Sequence, residues 1–382
     1  MSRLSEMIKE LCPDGVEYKK LGEIVSVYRG IRVVRAELQS EGKYPVYQNS
    51  LIPMGYYDKS NCSGRTSFII GAGAAGDIGY SEVDFWAADD CFYFVCEENV
   101  NSRFLYHVLL GQESLIKGQV RKASIPRLPR TAVEKLHIPV PPLAIQNEIV
   151  KLLDNFTELT AELTAELALR KKQYEWYCGS LIGGATFPKR KISDIATFRY
   201  GYTTSAATSG DARYIRITDI TDDGKLNPLD AKYTCISTEN KEYLLKRDDL
   251  VMARTGATYG KTLCYNMDTP AIYASFLIKI QVDETQMLPR FYWHFTRTPE
   301  YWGQANRLVT KGGQPQFNTG AIGRIVIPIP PLETQAKIVS ILDRFDALCH
   351  DLTQGLPAEI AARKKQYEYY RDKLLTFPRK GA

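Results

Sequence analysis

The chain has 382 residues, 44% apolar and 24% charged, the composition of an ordinary globular protein. Its 49 basic and 44 acidic residues leave a net charge of +5, which permits a nucleic-acid partner without demanding one. The apolar runs, such as 67–70 and 325–329, fall far short of the about 20 residues that cross a bilayer, and the N-terminus MSRLSEMIKELCPDG lacks the apolar centre of a signal peptide.

A soluble cytoplasmic protein is therefore expected. The 8 cysteines contain no C-x-x-C pair, and His107, His137, His294 and His350 are widely separated, so no zinc site is expected.

In chain order, residues 1–16 read as a short amphipathic helical segment. Residues 17–142 have a mixed pattern, with β-like runs at 66–70 and 91–95 bounded by Gly, Asn, Asp and Pro. Residues 71–76 read GAGAAG, a match to G-x-G-x-x-G. A dinucleotide site would need a helix next, and the following DIGYSEVD is a poor helix start. The corresponding loop of the second half, 254–260, lacks the pattern, so a tight turn between strands is expected in both places.

Pro141 and Pro142 end the first mixed region, and 143–187 is helical. Ile145, Ile149, Leu152, Phe156, Leu159, Leu163, Leu167 and Tyr174 recur at spacings of mostly three and four, one face of a helix seeking a partner. No Gly or Pro interrupts 143–178, which would make a helix about 50 Å long. Residues 188–331 repeat the mixed pattern, with runs at 214–217, 249–253 and 274–280.

Residues 332–382 are helical again, with Ile338, Ile341, Leu342, Phe345, Leu348 and Leu352 on one face. Gly355-Leu356-Pro357 should interrupt this helix, and a second segment is expected over 358–375.

The two halves are copies. IPVPPLAIQNEIVKLLDNF at 138–156 matches IPIPPLETQAKIVSILDRF at 327–345, and RKKQYEWY at 170–177 matches RKKQYEYY at 363–370. TFP occurs at 186–188 and at 376–378. The expected fold is α/β (α+β): two tandem domains, 17–142 and 188–331, separated by long antiparallel coiled-coil-like helices, with an internal pseudo-two-fold duplication. Within the first helix, Thr160-Ala161-Glu162-Leu163 is followed by Thr164-Ala165-Glu166-Leu167. One such repeat lengthens a helix by about 6 Å, so the segment reads as a length-adjustable spacer.

Positive charge concentrates in 188–331 and in two loops. Residues 117–130 carry Lys117, Arg121, Lys122, Arg127 and Arg130 with no acid. The homologous 303–324 carries Arg307, Lys311 and Arg324 with no acid, and Gln314, Gln316 and Asn318 besides. Arg and Lys suit guanine edges or phosphates, and Gln and Asn suit adenine edges. The candidate DNA-binding residues are Arg29, Arg32, Arg35, Lys117, Arg121, Lys122 and Arg127 in the first half. In the second they are Arg199, Arg254, Lys311, Gln314, Gln316 and Asn318. No nucleophile elbow, Walker loop or H-E-x-x-H occurs, and no catalytic residue is assigned.

Two halves that each carry I-P-x-P-P-L-x-x-Q-x-x-I-V-x-x-L-D and then R-K-K-Q-Y-E resemble the specificity subunit of type I restriction–modification enzymes. The Thr-Ala-Glu-Leu repeats resemble the spacer repeats of one subfamily. The resemblance implies a non-catalytic subunit with two target recognition domains, 17–142 and 188–331. Each reads one half of a bipartite, asymmetric DNA site.

It also implies two helical spacers, 143–187 and 332–382, which dock two methyltransferase subunits. Tyr174, Trp176, Tyr177, Tyr367, Tyr369 and Tyr370 are the candidate subunit-binding residues. Restriction subunits would complete the enzyme. S-adenosylmethionine, ATP and Mg are expected in those partners and no cofactor in this chain. The alternative is a DNA-binding assembly protein without sequence specificity.

Overall fold

The computed structural model describes residues 2–183, 187–310, 312–351 and 354–381. Leu352 and Lys311 lie outside the described residues. The chain forms two units. One comprises Met1–Glu162 together with Ile360–Ala382, and the other comprises Leu163–Glu359. Both units are mixed α+β and share one topology.

The first unit is built on an antiparallel sheet in the order Val25–Arg29, Cys91–Cys96, Thr66–Ile70, Ile78–Ser81. A smaller sheet orders Tyr56–Tyr57, Tyr44–Tyr47 and Trp86–Ala87, the last pair parallel. The second unit repeats this arrangement. Its main sheet runs Ala196–Tyr200, Leu277–Val282, Leu250–Ala253, Thr262–Cys264. Its smaller sheet runs Tyr233–Thr234, Ala212–Ile215, Ala271–Tyr273, again with a parallel last pair.

The apolar runs of the central strands, Phe68–Ile70 and Leu250–Ala253, are covered on both faces. Alternate side chains of a strand point to opposite faces. Ile69 joins the core under the helix Ser102–Gly111, while Phe68 and Ile70 face Tyr47, Phe85 and Ala87 across the small sheet. In the second unit Leu250 and Met252 enter one core, and Val251 and Ala253 enter the other. The run expected as one strand over 274–280 is divided. Ala274 makes an isolated bridge, Ser275 and Phe276 form a turn, and the strand begins at Leu277.

The long helix is Leu143–Cys178, 36 residues, followed by a π-turn at Gly179–Gly183. Ile145, Ile149 and Leu153 are buried in the first unit, and Tyr174, Cys178 and Ile182 in the second. Leu153 lies deeper than the expected Leu152, because 145, 149 and 153 stack one turn apart. Leu163 and Leu167 are only half-buried. The second helical part is Leu332–His350 and then Leu356–Leu374, with Pro357 in the first turn of the second helix, as expected, where its missing N–H costs nothing.

The Pro-Pro-Leu-x-x-Gln motif has a structural purpose. Gln146 is fully buried; it accepts from the Asn101 N–H at 2.8 Å and donates to the Asn99 and Pro141 carbonyls at 2.9 and 2.8 Å. Gln335 does the same with the Leu288 N–H and the Gln286 and Pro330 carbonyls, at 2.9, 2.8 and 2.8 Å. Each amide staples the start of a long helix to the loop that follows the sheet.

The Arg-Lys-Lys-Gln-Tyr-Glu segments are exchanged between units. Tyr367 belongs to the first unit and Tyr174 to the second. Tyr367 Oη lies 2.9 Å from His107 Nδ1, and His107 Nε2 lies 2.9 Å from Asp154, which also receives Arg103 at 2.8 Å. Tyr174, His294, Asp343 and Arg290 reproduce the chain at 2.9, 2.8 and 2.7 Å. An ionised carboxylate only accepts, so Nε2 carries the imidazole proton and Nδ1 accepts from the tyrosine. The network is complete only with a neutral histidine.

Burial lowers His107 and His294 below the ordinary imidazole value, against the raising effect of their aspartates. Burial pushes Asp154 and Asp343 up, but the histidine and arginine contacts outweigh it and hold them low.

Gln146→Ala and Gln335→Ala each leave a buried N–H and two carbonyls unpaired. Each should destabilise by more than about 2 kcal/mol, read from denaturant unfolding. The unfolded chain binds a histidine proton near pH ~6.5 that the folded chain refuses. Stability from these networks is therefore present above that pH and lost below it. The melting temperature should fall between about pH 7.5 and about pH 5.5, and His107→Gln with His294→Gln should flatten the fall.

Candidate nucleic-acid interface

In each unit the glycine turn and the acid-free basic loop meet. Residues 71–76 link the antiparallel strands Thr66–Ile70 and Ile78–Ser81, which disposes of a nucleotide-binding helix there. Gly73 and Gly76 have φ of +84° and +93°, which only glycine adopts easily. The Gly73 N–H donates to the Pro126 carbonyl at 3.2 Å and the Leu128 N–H to the Gly71 carbonyl at 2.8 Å. Arg121 and Arg127 exchange backbone hydrogen bonds, so 121–127 is a small hairpin laid on the turn. In the second unit Gly256 donates to Pro315, Phe317 donates to Arg254, and Thr310 and Gln316 close the matching hairpin.

Around this paired feature the first unit places Arg121, Lys122 and Arg127 in solvent. Arg32 and Arg35 line a cavity of about 280 Å³ with Gln48, Asn49 and Met54. Asn49 ties that cavity to the turn, since its carbonyl accepts the Ala74 N–H at 2.9 Å. Arg29 donates from Nε to the Asp89 carbonyl at 2.6 Å. The surface is therefore continuous from Arg35 through Asn49 to the hairpin. Gln48 and Asn49 escaped sequence reasoning, because nothing in Tyr47-Gln48-Asn49-Ser50 marks them before the chain folds beside Gly73.

Lys117 has a different setting. Glu113 and Asp77 contact it at 2.7 and 2.9 Å, and their hydrogen bonds raise its pKa. Its charge is already matched within the chain.

In the second unit the Arg254 guanidinium lies against the rings of Tyr200 and Phe276, 5.1 and 5.4 Å from their centroids, and donates from Nε to the Ser275 carbonyl at 3.2 Å. Gln314 is exposed. Three other candidates have internal partners. Arg199 pairs with Glu242 at 2.5 Å and covers Tyr243. Gln316 Nε2 donates to Thr255 Oγ1 at 2.9 Å, and Asn318 caps the short helix Thr319–Gly323 by accepting the Ala321 N–H at 3.0 Å.

The helix aromatics divide in the same way. Tyr174 and Tyr367 are held in the histidine networks. Tyr177 stacks on Phe345 and Tyr370 on Phe156, with centroids 5.0 and 5.3 Å apart. Trp176 and Tyr369, which occupy one position of the repeat, remain 63% and 59% exposed.

Among the described residues no group of three or more His, Cys, Asp and Glu is arranged to hold a metal, and no helix is long and apolar enough to cross a membrane. Burial pushes the Cys62 thiol up to about 12, which makes it a poor nucleophile.

The family model described as type I restriction modification DNA specificity domain matches residues 13–169 and 185–362. A protein of Haemophilus influenzae named as a type I restriction enzyme specificity subunit is 32% identical over 384 residues, covering 95% of this chain and 96% of that protein. The Escherichia coli EcoR124I/EcoR124II specificity subunit is 30% identical over 268 residues, 64% of each chain. The solved type I restriction-modification S subunit from M. genitalium shares the fold at a TM-score of 0.61, with 15% identity over 94% of this chain and 96% of that one.

Proposed function

The chain belongs to the type I restriction–modification DNA specificity family, and on that premise we propose how its parts divide the work of a non-catalytic specificity subunit. Residues 17–142 and 188–331 are the two target recognition domains, each reading one half of a bipartite, asymmetric site on double-stranded DNA. One observation carries this reading: each unit brings a glycine turn and an acid-free hairpin together on one surface. The side chains on those surfaces differ between the units, so the two half-sites differ. Arg29, Arg32, Arg35, Arg121, Lys122 and Arg127 serve one half-site. Arg254, Gln314 and Lys311 serve the other. A protein binding DNA without sequence preference would need no such contrast between duplicated surfaces.

The helical stretches 143–187 and 332–382 set the spacing between the reading domains and dock two methyltransferase subunits. Trp176 and Tyr369 are the docking aromatics, one for each partner, because the other four aromatics are used inside the chain. Restriction subunits complete the complex, which acts in the cytoplasm. S-adenosylmethionine, ATP and Mg belong to those partners. The Thr-Ala-Glu-Leu pair is a spacer of the kind whose repeat number sets the gap in the target.

Mapping methylated adenines in cells that express this subunit with its methyltransferase tests the reading. Two short tracts at a fixed gap are expected, and methylation without a common sequence would defeat it. Deleting residues 164–167 removes about 6 Å of helix. The gap should shorten by about one or two base pairs with both tracts kept. Trp176→Ala should reduce the methyltransferase bound per specificity subunit from two copies towards one, read by light scattering of the purified complex. An unchanged stoichiometry would show that Trp176 is not the docking residue.

A further inference from the structure

The two recognition units bring an arginine to one corresponding spot by different routes. In the first unit the turn at 88–91 is closed by Cys91 N–H to the Ala88 carbonyl, and in the second the turn at 274–277 by Leu277 N–H to the Ala274 carbonyl. The surroundings of the two turns correspond bond for bond. Gly30 and Gly201 donate to Cys91 and Leu277, Ile31 and Tyr202 to Ala87 and Tyr273, and Gly71 and Arg254 to Asp90 and Phe276. Gly30 and Gly201 pass so close that a Cβ on either would collide with the Ala88 or Ala274 carbonyl. The backbones therefore coincide, while the side chains do not.

In this frame Arg29 corresponds to Tyr200, and Gly71 corresponds to Arg254. Each unit has one arginine at these two positions, and they are opposite positions. The guanidinium nevertheless ends on the same atom. Arg29 Nε donates to the Asp89 carbonyl, and Arg254 Nε to the Ser275 carbonyl, the same carbonyl of the turn. Among the described residues neither guanidinium has a hydrogen bond from its Nη1 or Nη2, so the terminal fork of each is open.

An arginine tied back through Nε presents that fork in a fixed plane. This is the geometry that a bidentate contact to guanine O6 and N7 uses. The local charge argues against a phosphate as the target in the first unit, since the anchoring carbonyl belongs to Asp89 and Asp90 follows it, two carboxylates that repel a phosphate. In the second unit the rings of Tyr200 and Phe276, 43% and 53% exposed, lie 5.1 and 5.4 Å from the Arg254 guanidinium and support its plane at the surface.

We propose that Arg29 and Arg254 are the guanine-reading groups of the two recognition units, placed by the same turn carbonyl and supplied from opposite positions of the repeat. This rests on the reading of the units as DNA-recognition domains. Each half-site then contains a G·C pair at the place this turn faces.

The test uses the complex of this chain with its methyltransferase subunits, carrying Arg29→Lys or Arg254→Lys, and a library of target sites. Lysine keeps the charge and loses the fork. Arg254→Lys should lower the preference for G at one position of one half-site by about 10-fold or more, leaving the other half-site and the melting temperature unchanged. Arg29→Lys should do the same in the other half-site. A uniform loss of affinity over all sequences would make these arginines phosphate contacts and overturn the proposal, as would an unchanged base preference. If the unsubstituted complex shows no sequence preference, it is the recognition reading that fails.

Discussion

A tyrosine hydroxyl donated to a buried neutral imidazole fastens each unit to a helix that lies elsewhere in its own repeat order. Tyr367 completes the unit containing His107, and Tyr174 completes the unit containing His294. The constraint is severe because the imidazoles are fully buried and already donate to a carboxylate. A protonated ring has no acceptor for the tyrosine, so this link between helix and unit requires one tautomer of the histidine. The stapling glutamines Gln146 and Gln335 then fix where the helices Leu143–Cys178 and Leu332–His350 start.

These fixed points free the surface to vary. Networks, staples, glycine turns and hairpin closures occur in both units with nearly the same distances. Between them, Arg29 corresponds to Tyr200 and Gly71 to Arg254 in the repeat, and the sequence RKASIPR at 121–127 corresponds to TKGGQPQ at 310–316. A backbone that closes on itself tolerates such changes, since its hydrogen bonds do not pass through the side chains that differ. Two units with unlike surfaces can thus share one scaffold.

Much of this was legible in the sequence. The duplication follows from direct identity of segments, and the helix at 143–178 from the absence of Gly and Pro with a sustained three-and-four spacing. The basic loops were marked by missing acids. What stayed hidden depended on partners distant in the chain. Periodicity shows that Tyr174 and Tyr367 face something, and it cannot say which repeat supplies the histidine. Gln316 and Asn318 look like base readers by type, but a threonine 61 residues away and a helix N-terminus occupy them. The run 274–280 reads as one strand because a two-residue turn inside an apolar stretch leaves no local mark. The anchors of Arg29 and Arg254, the Asp89 and Ser275 carbonyls, correspond only through the pattern of backbone hydrogen bonds around each turn.

The division of the chain also orders its birth. The second unit is one continuous stretch, Leu163–Glu359, and its buried tyrosine and histidine are 120 residues apart. The first unit needs Tyr18 to meet Phe377, 359 residues later. On a ribosome, which releases the chain from its N-terminus, the unit begun first must wait for residues 360–382 while the unit begun later already has all its parts. The apolar bed for Phe377 and Tyr367 is exposed during that interval. Synthesis thus runs opposite to completion, and the unit encoded first is the one most in need of protection while it waits.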